Sequence, residues 1–261
     1  PFSFAKLTDE KMAQVRKNVE LVKTMIEGGS RDTRTMCNII EDMGYTSNYT
    51  DLYSRIKTEI GDGFDINNFS RLLNSAYVEN GAHNYDFGIQ FAKKLPKQLD
   101  EFSAWEISKM AEKFAKADKA GQDEILARLS ILSKFSEFDK YERIGKYDVE
   151  YILNDDMPNA LKIAEFLENA EPSYVERLSY NYKNNYKHIS IEEMFKDNDL
   201  DVMIANAKLH KELPQKLLER LNKNQSTLFY DVEPEVLKLR IEVINKYQDK
   251  FTPAELHNMY S

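Results

Sequence analysis

The stretch Phe102-Ser103-Ala104-Trp105-Glu106-Ile107-Ser108-Lys109-Met110-Ala111-Glu112-Lys113-Phe114-Ala115-Lys116-Ala117 sets the fold class of the chain. Ile107, Met110, Ala111 and Phe114 recur at i, i+3, i+4 and i+7. That spacing lines four apolar side chains along one face of an α-helix. Ser103 and Glu106 form a capping box: the hydroxyl takes a free N–H of the first turn, and the carboxylate reaches back to the N–H of the cap. The leading Phe102 can staple the incoming chain onto the helix.

Outward from this stretch, the same signals repeat. After Gly121 a second helix carries Ile125, Leu129 and Leu132. Towards the start of the chain, Thr8 caps a helix whose Met12, Val15, Val19, Val22 and Ile26 form the expected core stripe, ended by Gly28-Gly29. Ser30 begins a shorter helix through Cys37, Ile39 and Ile40 to Gly44, with Cys37 read as buried packing. Another helix runs from about Thr50 to Ile60 and stops at Gly61-Asp62-Gly63. Pro158, Pro214 and Pro234 stand where first helical residues belong, since proline lacks an N–H that would be unpaired there anyway. They lead the stripes Ala160, Ile163, Ala164, Leu167, then Leu217, Leu218, Leu221, then Leu237, Ile241, Ile244. No stretch combines strict alternation with hairpin turns, so no strand is expected.

The pattern of apolar residue, cap, two free positions, Glu or Asn, and apolar residue occurs four times. It reads Phe64-Asp65-Ile66-Asn67-Asn68-Phe69, Phe102 to Ile107, Ile189-Ser190-Ile191-Glu192-Glu193-Met194, and Phe251-Thr252-Pro253-Ala254-Glu255-Leu256. The first two copies lie 38 positions apart, and at that offset Leu72, Leu73, Ala76 and Phe87 map onto Met110, Ala111, Phe114 and Ile125. Such a period suits a two-helix repeat. The later spacings are not clean multiples of it. The expected fold is therefore all-α: stacked helical hairpins in an irregular α-solenoid, as a single domain over residues 1–261. Residues 60–135, and the stretch from Phe102 to Ala117 above all, resemble the helical repeats of organellar proteins of the RAP and FAST-kinase-like group, and more distantly octotricopeptide repeats. That resemblance implies a mitochondrial or plastid location and often work on RNA.

Composition narrows the function classes. Nine glycines, seven prolines and 31% charged residues fit a helical protein. The net charge of −8 lacks the basic excess of a typical phosphate-backbone binder, so RNA is a disfavoured partner. The lone Cys37 excludes an internal disulfide and fits a reducing compartment. No apolar run reaches the ~20 residues of a membrane span. The start Pro1-Phe2-Ser3-Phe4 reads either as initiator-Met removal before proline or as a mature end after presequence cleavage. The expected location is mitochondrial, with cytoplasmic as the alternative.

Catalytic and metal motifs do not assemble. His83, His188, His210 and His257 show no ligand spacing and each reads as a surface or interface residue. Asp197-Asn198-Asp199-Leu200-Asp201 opens like a calcium loop, but Val202 stands where the glycine belongs and Lys208 where the bidentate acid belongs. It reads as a turn and cap. No catalytic, cofactor-binding or metal residue is expected, and the chain is read as a non-enzyme. Two segments remain as partner contacts. One is Tyr180 to His188, where Tyr182, Lys183, Tyr186 and Lys187 suit a protein partner or stacking on single-stranded RNA. The other is the terminal helix, where Leu256, Met259 and Tyr260 lie along one side and either fold back on the Leu237–Tyr247 helix or dock on a partner. The expected role is a non-catalytic scaffold, an accessory subunit of a mitochondrial assembly such as a respiratory complex, ATP synthase or ribosome. The alternative is an organellar RNA-binding repeat protein.

Overall fold

A computed structural model describes residues 7–79, 82–138, 144–185, 190–214 and 232–260. The chain is all-α, with almost no strand. Its contacts divide it into two compact units, Pro1–Gln122 and Asp123–Ser261.

The first unit opens with α1 (Asp9–Glu27), α2 (Thr33–Glu41) and α3 (Asn48–Glu59). Thr8 caps α1 by accepting from the Lys11 N–H at 3.3 Å. Gly29, at φ +81°, supplies the left-handed turn that ends it. The cap of α2 is Asp32, not Ser30: its carboxylate accepts from the Thr35 N–H at 3.0 Å. An acid here suits the positive end of the helix dipole better than the upstream hydroxyl.

Next come α4 (Phe69–Asn74), a small hairpin of β1 (Tyr77–Glu79) and β2 (Ala82–Asn84), and α5 (Asp86–Lys94). The strands pair antiparallel, Tyr77 opposite Asn84 and Glu79 opposite Ala82. This corrects the strand-free expectation. The sequence did carry the signal: Asn80-Gly81 between Tyr77-Val78 and Ala82-His83 is the preferred link of a tight hairpin. The hairpin also interrupts the 38-residue mapping. Ala76 lies beyond the end of the six-residue α4, whereas Phe114 lies inside the 13-residue α6 (Ala104–Lys116). Phe69 and Ile107 keep their equivalence as buried residues. Both halves of the Ser103–Glu106 capping box are present, at 2.8 and 3.3 Å. Phe87, Phe91, Phe102 and Phe114 form an aromatic core with ring centres 5.3 to 5.9 Å apart.

The unit boundary falls inside α7 (Lys119–Ser136), so Gly121 is within this helix and does not precede it. The second unit continues with α8 (Lys146–Asn154), α9 (Ala160–Asn169), α10 (Pro172–Asn185), α11 (Leu200–Lys211), α12 (Pro234–Tyr247) and α13 (Pro253–Tyr260). Pro158 sits two residues before α9, with Asn159 at the cap. The helix expected after Pro214 lies outside the described residues. Arg128 of α7 is buried and holds the C-terminal end of α8, donating to the carbonyls of Ile152 and Asp155 while pairing with Glu124. Those carbonyls have no partner within their own helix, so the guanidinium satisfies them. Along their exposed edges, α9 and α11 are laced by Lys162–Asp201 at 2.7 Å and Lys208–Glu165 at 2.6 Å.

Candidate protein-interaction surfaces

On α1, helical periodicity admits two apolar faces, and packing selects one. The side that meets α2 and α3 is led by Asn18, buried, whose amide donates to the Ile39 carbonyl at 3.2 Å and to Asp42 at 3.3 Å. Gln14 donates to Asn18 and to Thr50 Oγ1, at 3.0 and 2.7 Å. A buried amide with its hydrogen bonds made costs little. Leu21, Val22 and Met25 complete this inner face. The stripe expected to be core is thereby split: Val22 packs inside and Val15 is half-buried, whereas Met12, Val19 and Ile26 are exposed, Ile26 to 59%. From α2 and the turn after it, Ile40, Met43 and Tyr45 are exposed too, and Lys11 Nζ lies 4.0 Å over the Tyr45 ring. Cys37 is likewise exposed, because Met36 and Ile39 occupy the inner face of α2.

In the second unit, α13 folds back on α12. Leu256 is 0% exposed in a cluster with Leu213, Leu237 and Ile244. It is therefore core, which corrects its reading as a partner contact. Met259 is partly buried and lines a surface groove of about 310 Å³ with Val236, Leu239, Arg240 and Val243. The side chain of Tyr260 lies outside the described residues.

The Tyr180–His188 segment is also divided by packing. Tyr182 is 2% exposed, its ring centre 5.5 Å from that of Phe135, so it cannot stack on a base or meet a partner. Tyr180 is exposed. The side chain of Lys183, and Tyr186 and Lys187 altogether, lie outside the described residues.

Titratable groups with displaced equilibria are dispersed. In the first unit, burial, then the nearby Asp51 charge, pushes the Tyr85 hydroxyl up to about 12. In the second unit, burial pushes His210 down to about 4. This histidine is inside α11's packed face, contrary to its surface reading. Burial raises the Glu171 carboxyl, against the Ser173 hydroxyl and the Arg177 charge. Asp199 caps α11, accepting from Asp201 and Val202 N–H groups at 3.0 and 3.3 Å, the local duty expected of the calcium-loop mimic. Among the described residues no group of three or more His, Cys, Asp or Glu side chains could hold a metal ion, and no helix is long and apolar enough to cross a membrane. What the geometry offers chemically is apolar helix surface. Comparison with family models, curated proteins and solved structures gives no match for this chain.

Proposed function

We propose that the chain is a non-catalytic helical scaffold, an accessory subunit that docks on protein partners in a larger assembly. The observation that carries this reading is the outer row of α1: Met12, Val19 and Ile26 face solvent while a polar Asn18 stands in the packed face beside Val22. Outward apolar side chains in one stripe gain about 1.5–3 kcal/mol each on full burial, before the entropic cost of association. A stacked-hairpin arrangement is part of the same proposal. It is supported by hydrogen bonds joining a helix to the next but one at separations of 36, 39 and 43 residues, close to the period of the sequence repeat. The mitochondrial location rests on the resemblance of residues 60–135 alone, and cell fractionation tests it.

The docking role is tested by isolating the tagged chain from its own cells beside a V19D/I26D variant. Both substituted residues are exposed, so helix content and Tm should be unchanged. A partner set held by the unsubstituted chain and lost by the variant is the expected result. The same partners on both, or none on either, would sink the reading of this face.

A further inference from the structure

Helix α12 carries a second outward seam, in the other unit. Its inner side is occupied by Leu237 and Ile244, packed on Leu213 and Leu256. Val236, Leu239 and Val243 are exposed beyond that core, spaced three and then four residues apart, and they line the groove with Arg240 and Met259. This is heptad spacing, with Val236 and Val243 at a, Leu239 at d, Glu235 and Glu242 at g, and Arg240 and Tyr247 at e.

We propose that this face pairs with the same face of a second copy of the chain, as a short parallel two-stranded coiled coil. The proposal goes beyond the scaffold reading and does not depend on it. Valine at a with leucine at d is the combination that favours two parallel strands. The flanking charges then choose the partner. In a parallel pair each g residue faces the e residue of the other helix five positions on. Glu235 of each copy therefore meets Arg240 of the other, and two-fold symmetry makes the contact twice. Glu242 meets Tyr247 of the other copy, whose ring carries Lys246 Nζ at 5.2 Å and Lys250 Nζ at 5.6 Å. An antiparallel pair would instead set Glu235 against Glu242, like against like. The α1 stripe lacks this self-complementarity. With Met12 at a, its g and e residues are Lys11 and Arg16, both basic. Lys246 takes the next d position of α12, so the seam is two heptads long and the dimer is weak.

The test is sedimentation equilibrium of the full chain across a range of concentrations. A concentration-dependent dimer is expected. L239D, on an exposed side chain, should leave the circular dichroism unchanged and the chain monomeric. E235R and R240E should each weaken self-association roughly ten-fold by creating two like-charge contacts. An equimolar mixture of the two should regain the original strength. In the mixed pair the arginine introduced in one copy faces the glutamate introduced in the other, and the retained Arg240 faces the retained Glu235. If R240E fails to fold, V236C in a C37S background gives an independent readout. A parallel seam brings the two a positions together, so mild oxidation should yield a covalent dimer through that position. A chain that stays monomeric at about 100 µM, a dimer indifferent to L239D, a mixture no tighter than its components, or no cross-link through V236C would each overturn the proposal.

Discussion

Gly44 stands at φ +75°, and a Cβ there would lie 2.5 Å from the Lys11 carbonyl oxygen. The residue thus meets two demands, a left-handed backbone and a close approach of the α2 turn to the start of α1. Gly29 meets only the first: φ is +81°, and a Cβ would touch nothing within 4 Å. G44A should therefore lower stability by about 2–4 kcal/mol and G29A by about 1 kcal/mol, read as the difference between two thermal melts. His210 makes a pH-dependent contribution. Burial holds its folded value at about 4 against an ordinary 6.5. Between those values the unfolded chain binds a proton that the folded chain does not. Stability must fall as pH drops from about 6.5 towards about 4 and level off below, by up to ~3 kcal/mol. In H210L this part of the slope should vanish whatever the variant's stability at neutral pH. An identical pH profile for both proteins would show that His210 is not the group responsible.

At the scale of elements, the four copies of the capping pattern all start a helix, though not the same kind. Ser103 and Thr252 make complete boxes with Glu106 and Glu255 and open α6 and α13. Asp65 caps a short 3₁₀ turn, Ile66–Asn68, accepting from Asn67, whereas Ser190 stands one residue ahead of the cap position, Ile191, of the Glu192–Phe195 turn and accepts from Glu193. A cap satisfies an N–H at the helix start, and the residues beyond it determine how far the helix runs. For α13 the deciding residue is Leu256. T252A should cost about 1 kcal/mol and L256A about 2–5 kcal/mol. In both, hydrogen exchange should quicken in α13, with L256A also loosening α12 through the shared cluster. Unchanged protection of α13 in L256A would mean the helix is held by something other than this core.

At the scale of the whole molecule, the test of the split α1 stripe is a pair of substitutions three residues apart. V22D puts a carboxylate into the buried face and should cost more than about 3 kcal/mol, whereas V19D, on the outward stripe, should stay within about 0.5 kcal/mol of the parent. Equal losses would restore the face expected from periodicity. The charge of −8 argues about the molecule's surroundings. Binding to phosphate backbones releases counterions and weakens steeply with salt. Filter binding to generic single-stranded RNA should therefore detect no submicromolar, salt-sensitive complex. Finding one would favour the RNA-binding alternative over the scaffold.

The local facts of this protein were legible in its residues. The helix starts at Thr8, Ser103 and Pro234, the ends at Gly28-Gly29 and Gly61, the Asp199 turn and the helical class all follow from interactions within one or two turns of the chain. The hairpin after α4 was legible as well, from Asn80-Gly81. Which side of each helix turned inward was decided by the tertiary structure. Asn18 is buried because the Ile39 carbonyl and Asp42 are there to receive its amide, and neither lies near it in sequence. Once that polar residue is satisfied, burying it costs little, and Val19 and Ile26 are left on the outside. Tyr182 and Leu256 are drawn inside by Phe135 and by Leu237 and Ile244, while Met259 is left at the rim of the groove. Capping and periodicity depend on neighbours along the chain, whereas burial depends on neighbours in space. A helix with two apolar stripes therefore commits to one only when its packing partners supply the matching shape and the hydrogen bonds.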